Sequence, residues 1–154
     1  MEFFFGCVPG ASEHLEREIL SLNPSLKKEI ALLGPHGLSL KTSLEEALFL
    51  LHFSYLTNRA LLLLETKMIR SQEELYTWIS SLDWSKHMRV DQTFAIRFSG
   101  SHTQFPNSLF FVQRVKDGIC DFFKKRSGRR PSVDVKEPMV QFHVFANGTQ
   151  VELS

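Results

Sequence analysis

Apolar positions come in short blocks whose spacing changes along the chain. Residues 2–7 form one such block, closed by Pro9-Gly10, and predict a buried strand and a turn. Glu13, Glu16 and Glu18 then interleave with Leu15, Ile19 and Leu22, a step of three to four that predicts a helix ending near residue 22. Residues 28–33 and 38–41 flank Gly34-Pro35-His36-Gly37 and predict a hairpin. Ser43 with Glu46 makes a capping box, opening a helix with Leu44, Ala47, Leu48, Leu51 and Tyr55 on its inner side. Residues 61–69 complete the series as a strand. The order β-α-β-β-α-β is that of a ferredoxin-like unit, expected over residues 1–68.

A second α/β unit is expected over residues 69–154. Ser71 with Glu74 is another capping box, heading a helix over 73–80 with Leu75, Trp78 and Ile79 inward. Trp84 follows in a short turn. Phe94, Ile96 and Phe98 alternate with Ala95 and Arg97, a strand that ends at Gly100 and gives way to a polar loop at 101–107. Asn107 is the expected N-cap of a long helix ending near Lys125, with Phe111, Val115, Ile119 and Phe122 as its buried stripe and Val112 and Phe123 alongside. Asn147-Gly148 between residues 140–146 and 150–153 is a strong hairpin signal. The fold class is therefore α+β, two small units with no flexible linker between them.

Composition supports a folded core: 43% of the 154 residues are hydrophobic and fourteen are Phe. Apolar runs such as 60–64 fall far short of the roughly 20 residues that cross a bilayer, and the N-terminus lacks the basic segment of a signal peptide. Cys7 and Cys120 make neither a disulfide framework nor a metal set, and a reducing cytoplasm suits them. The six histidines show no metal-binding spacing. Asn147-Gly148-Thr149 fits a glycosylation acceptor but reads as a turn.

Net charge is +1, yet it is unevenly placed. Residues 1–75 carry seven Lys or Arg against ten Asp or Glu, whereas residues 114–130 carry seven against two. Lys124, Lys125, Arg126, Arg129 and Arg130 crowd into seven residues without an acid. A helix C-terminus welcomes one or two cations. Five repel one another, and a phosphate backbone relieves that repulsion. Arg114 and Lys116 stand farther up the same helix as further RNA-binding candidates. Pairs such as Arg114 with Asp117 and Asp121 with Lys125 would consume part of the charge. Arg130 has two available roles, contacting RNA or fixing its loop through a pair with Asp134. The alternative to RNA is an acidic protein surface, on a neighbouring domain or another subunit.

No catalytic residues are found. The chain has no P-loop, no nucleophile elbow, no glycine-rich loop after a strand and no Asn-Pro-Pro-Tyr stretch. Asp83, Asp91, Glu45 and Glu46 read as ordinary surface carboxylates.

Several pieces occur in an informative order. They are Pro9-Gly10 with Glu16 and Glu18; Gly37-Leu38-Ser39-Leu40; Thr57-Asn58-Arg59-Ala60; Leu75-Tyr76 and Trp84; TFAIRFSG from Thr93; Asn107-Ser108; Val115-Lys116-Asp117 with Ile119 and Asp121; and Arg130-Pro131-Ser132-Val133-Asp134. On these the chain resembles the N-terminal, THUMP-containing region of bacterial large-subunit ribosomal RNA guanine-N2 methyltransferases. That resemblance implies a ferredoxin-like unit followed by a THUMP domain, a module that positions structured RNA, 23S ribosomal RNA, for guanine-N2 methylation. It also implies a C-terminal methyltransferase domain beyond residue 154 that binds S-adenosylmethionine, so no cofactor is expected in this chain. Gly118 departs from the Ala usual in relatives, at a cost of up to about 1 kcal/mol of helix propensity.

Overall fold

The computed structural model describes residues 1–32, 34–103, 105 and 107–154. Leu33, expected at a strand end, and Gln104 and Pro106, expected in the polar loop, lie outside the described residues. The chain divides into two compact units, residues 1–64 and 65–154.

In the first unit, β1 (Glu2–Gly6), α1 (Ser12–Leu22), β2 (Ile30–Leu32), β3 (Gly37–Lys41), α2 (Leu44–Phe53) and β4 (Arg59–Leu62) follow the expected order. The sheet runs β2-β3-β1-β4, antiparallel throughout, which is the ferredoxin-like arrangement. Phe3, Phe5, Leu38 and Leu40 on one sheet face meet Leu15 and Ile19 of α1 and Ala47 and Leu50 of α2. Gly37, at φ 155°, is where β3 starts beside β1; a Cβ there would sit 2.1 Å from the Phe5 carbonyl oxygen, so only glycine fits.

Three expectations are corrected here. A 3₁₀ turn, Pro24–Lys28, precedes β2, because Pro24 opens a turn and Asn23 Oδ1 accepts from the Ser25 amide at 3.1 Å. On α2 only Ala47 and Leu50 are buried, while Leu44, Leu48 and Leu51 are exposed, as is Tyr55 beyond the helix end. The helix is apolar on nearly every side, so its pattern does not select a face. The strand expected over 61–69 is two strands in two sheets: β4 pairs with β1, whereas β5 (Glu65–Met68) pairs with β8. The division between units accordingly falls after residue 64, four residues before the expected position.

The second unit continues through α3 (Gln72–Ser81), a 3₁₀ turn Trp84–Lys86, β6 (Phe94–His102), α4 (Ser108–Ser127), β7 (Val140–Gly148) and β8 (Gln150–Leu153). Its sheet runs β5-β8-β7-β6. β6 and β7 are parallel and joined across α4, while β7 and β8 form the hairpin that Asn147-Gly148 signals. Strand β6 reaches past Gly100 to His102, and His102 is buried against Phe105 and Phe111 rather than lying in an open loop. The serine half of each capping box forms, with Ser43 and Ser71 hydroxyls accepting from the Glu46 and Glu74 amides at 3.1 Å, while the glutamates accept from Asn23 Nδ2 and the Arg70 amide. Leu75, Trp78 and Ile79 of α3 face Phe111, Val115, Ile119 and Phe123 of α4 and the sheet. Phe122 and Val112 are only half-buried, so the stripe turns towards Phe123. Gly118 lies against Ile79 and lets the two helices approach closely. Among the described residues no helix is long and apolar enough to cross a membrane.

Candidate nucleic-acid interface

Helix α4 starts at Asn107, whose Oδ1 accepts from the Leu109 amide at 2.9 Å, and stops at Gly128 in the left-handed conformation (φ 69°). Its last turn holds Lys124, Lys125 and Arg126, all exposed, at the negative end of the helix dipole. Ser127 donates to the Phe123 carbonyl at 2.9 Å, and beyond the cap Pro131 is buried near Cys120. The helix end and its exit loop are thus anchored to the core while their cations face solvent.

The carboxylates sort these cations. Arg130 Nη2 bonds Asp121 Oδ1, and the Tyr76 hydroxyl donates to Asp121 Oδ2 at 2.8 Å. Tyr76 first, and Arg130 second, hold the Asp121 carboxyl below its ordinary range. The same hydrogen bond pushes the Tyr76 phenol upward. Arg126 Nη1 lies 3.5 Å from Asp83 Oδ1, with its guanidinium 5.9 Å from the Phe122 ring centre. Among the described residues no carboxylate lies within ion-pair distance of Lys124, Lys125 or Arg129.

Four of the seven sequence candidates, Lys124, Lys125, Arg126 and Arg129, therefore gather as an exposed group. Arg130 borders it but turns back to Asp121. Its anchor is not Asp134, whose Oδ1 instead accepts from the Lys136 and Glu137 amides at 3.0 and 3.1 Å and folds its own loop. Arg114 and Lys116 do not join the group. They sit ten and eight positions before Lys124, about 15 and 12 Å along the axis, with Asp117 and Asp121 between. Lys116 pairs with Asp117 at 3.3 Å, so the expected Arg114–Asp117 and Asp121–Lys125 pairs are replaced. Arg114 lies over the Tyr76 and Phe110 rings, 6.0 and 5.7 Å from their centres, with its Nε buried and unpartnered.

The turn at 83–92 lies beside the helix end. Trp84 is 1% exposed, donates Nε1–H to the Ile79 carbonyl at 2.7 Å and packs edge-on against Phe142; Met88 is also buried. With those two side chains inward, Lys86 and Arg89 are turned outward. The Arg89 amide donates to Gln92 Oε1 at 2.7 Å, and Arg89 Nε reaches Asp91 at 3.2 Å. Asp83 is held low first by the Ser85 hydroxyl, with Arg126 and Lys86 adding their fields; Asp91 is held low first by Arg89, with Arg129 adding its own. Sequence reasoning passed over Lys86 and Arg89. Their signal was the alternation of Trp84 and Met88 with them, which fixes which side each faces.

A family model described as THUMP domain matches residues 70–154. The chain is 34% identical over 154 residues to a protein named "Ribosomal RNA large subunit methyltransferase K/L" from Pseudomonas paraeruginosa, covering 99% of this chain and 21% of that protein. It thus spans about a fifth of the length of the curated relative. Among solved structures it is similar to "a possible methylase from Clostridium difficile 630" (TM-score 0.83, 20% identity, 99% of this chain and 40% of that one). A more distant likeness is to a 4-thiouridine synthetase solved as an RNA complex with bound ATP (TM-score 0.58, 11% identity, 99% of this chain and 40% of that one).

Proposed function

Because the chain belongs to the THUMP domain family, we propose that it is the RNA-binding part of an RNA methyltransferase and grips RNA phosphates with the C-terminal end of α4. The observation that carries this reading is the exposed group Lys124, Lys125 and Arg129, without an ion-pair partner among the described residues, at an anchored helix end. Phosphate oxygens supply the counter-charge that the protein withholds there. Arg126 and Arg130 join by using donors that Asp83 and Asp121 leave free.

The finer reading takes the RNA to be ribosomal, from the large subunit, and the modification to be guanine-N2 methylation in the cytoplasm. The names of the relatives support the ribosomal substrate. In this reading catalysis and S-adenosylmethionine belong to a separate methyltransferase domain of a longer protein. Among the described residues between β6 and α4, His102 and Phe105 are buried and packed on Phe111, so those side chains are given over to the core. Holding RNA on a tethered module raises its effective concentration at a catalytic site.

A fluorescence titration with structured RNA at several salt concentrations tests the reading. Four phosphate contacts give a slope of log K against log salt near −3 to −4. Charge reversal at 125, 126 and 129 should abolish binding. Binding indifferent to salt, or untouched by that reversal, overturns the proposal, as does a stable complex with an acidic protein that RNA fails to displace.

A further inference from the structure

We propose that the 83–91 turn is the second arm of a phosphate clamp, in which Lys86 and Arg89 hold the RNA backbone opposite Arg126 and Arg129. The inference rests on the RNA-binding reading and extends its footprint to residues about forty positions away in sequence.

Three observations carry it. First, the two arms adjoin: Arg126 reaches across to Asp83 at the base of the turn, at 3.5 Å. Second, Asp83 and Asp91 each feel a cation from either arm, Lys86 with Arg126 and Arg89 with Arg129. Four cations thus surround two carboxylates, and the excess positive charge faces outward. Third, both arms are fastened to the fold by their own packing and hydrogen bonds. Trp84 and Met88 are driven into the core, Gln92 closes the turn on the Arg89 backbone, and the α4 end is capped by Gly128. A preformed site loses little entropy on binding, so an ordered cationic turn beside a cationic helix end is better suited to a phosphate backbone than a loose basic tail would be.

The pairing also explains why the turn keeps its charge exposed. Arg89 and its partner Asp91 remain 69% and 57% exposed, so solvent screens the pair and the guanidinium stays available. A phosphate brought to Arg89 uses the N–H donors that Asp91 does not occupy.

The test compares the intact chain with two double variants, Lys86→Ala/Arg89→Ala and Lys124→Ala/Lys125→Ala, against a short labelled RNA hairpin over a range of salt. Both pairs are exposed, so thermal unfolding should be nearly unchanged. Each lost phosphate contact flattens the salt slope by about 0.9, which at 0.15 M salt corresponds to about fivefold in affinity. The Lys86→Ala/Arg89→Ala variant should therefore bind about 30-fold more weakly, with a slope flatter by about two. If the intact chain binds and the Lys124→Ala/Lys125→Ala variant weakens, while Lys86→Ala/Arg89→Ala leaves affinity or slope unchanged, the clamp is wrong and the RNA reading stands. If the intact chain does not bind the hairpin, or an acidic peptide of equal charge displaces it equally well, the RNA reading itself fails and the clamp with it.

Discussion

Gly118 sets the distance between α3 and α4, and replacing it by Ala tests how close that contact is. A Cβ built there lies 2.6 Å from Ile79 Cγ2, 2.9 Å from Ile79 Cβ and 3.3 Å from the Ser80 amide nitrogen. Carbon atoms rest about 3.5–4.0 Å apart, so the helices must separate by about 1 Å or Ile79 must leave its rotamer. Ile79 is fully buried and branches at the clashing atom, which leaves it no cheap escape. Overpacking of this kind costs about 1–3 kcal/mol, against about 1 kcal/mol gained in helix propensity. The net effect is a loss of up to about 2 kcal/mol, and each kilocalorie lowers the melting midpoint by about 4–8 °C in a unit of this size. The separation also reaches Tyr76 and Asp121, one turn away on the same two helices, whose hydrogen bond is 2.8 Å long and cannot survive an extra ångström. In a Tyr55→Phe background, where Tyr76 is the sole phenol, its ionisation should therefore move back down towards 10. Ile79→Ala should cost less in the Gly118→Ala background than in the parent, with a coupling of about 0.5–3 kcal/mol. A midpoint that rises by several degrees, as propensity alone requires, would refute the close packing.

Other consequences follow from single contacts. Asp121→Asn removes the charge and one of the two oxygens through which Asp121 holds Tyr76 and Arg130; because the folded carboxyl titrates below its ordinary 3.8, its stabilisation is complete above that pH and is lost as pH falls through the lowered value. Melting scans between about pH 5 and pH 2 should show a steeper fall for the parent than for Asp121→Asn; parallel curves would remove Asp121 from the account. Ser71→Ala deprives the Glu74 amide of its cap and should cost about 1 kcal/mol, read as a lower melting midpoint of the 65–154 unit. Arg130→Ala should flatten the RNA salt slope less than Lys125→Ala does, since Asp121 already offsets the charge of Arg130; equal effects would mean that RNA displaces the carboxylate.

What could be read in the sequence was what is written locally. The serine caps at Ser43 and Ser71, Asn107 and Asn147-Gly148 act through neighbours a few residues away, and each lies where its chemistry placed it. The ferredoxin-like order was legible because each element has its own period. Helix α2 was not: Leu44, Leu48, Phe49, Leu51 and Phe53 remain exposed while Ala47 and Leu50 point inward, and nothing in ten mostly apolar residues ranks those faces. The run from Leu61 to Ile69 contains no Gly or Pro, so the break between β4 and β5 had only the change from leucines to Glu65, Thr66 and Lys67 to mark it. At the interface, Lys124, Lys125, Arg126, Arg129 and Arg130 were visible because they crowd into seven residues. Lys86 and Arg89 were hidden because only the packing of Trp84 and the end of α4 brings them alongside.

The distribution of residue types across the interface carries one more consequence. Arg89, Arg126 and Arg130 each have a carboxylate within 4 Å, whereas, among the described residues, Lys86, Lys124, Lys125 and Arg129 have none. A guanidinium has five N–H donors in a fixed fork, so one carboxylate orients it and still leaves a donor edge for phosphate; an ammonium is a point charge that gains no direction from a partner. Paired positions thus supply geometry and unpaired positions supply charge. Arg126→Lys keeps the formal charge but gives up the fork held by Asp83 and the stacking over Phe122. RNA affinity should fall several-fold, by about the 1 kcal/mol that separates a bidentate contact from a single one, with the salt slope unchanged. Lys125→Arg, at a position with no orienting carboxylate, should change little. If Arg126→Lys binds RNA as the parent does across the whole salt range, orientation by Asp83 has no part in recognition and only charge remains.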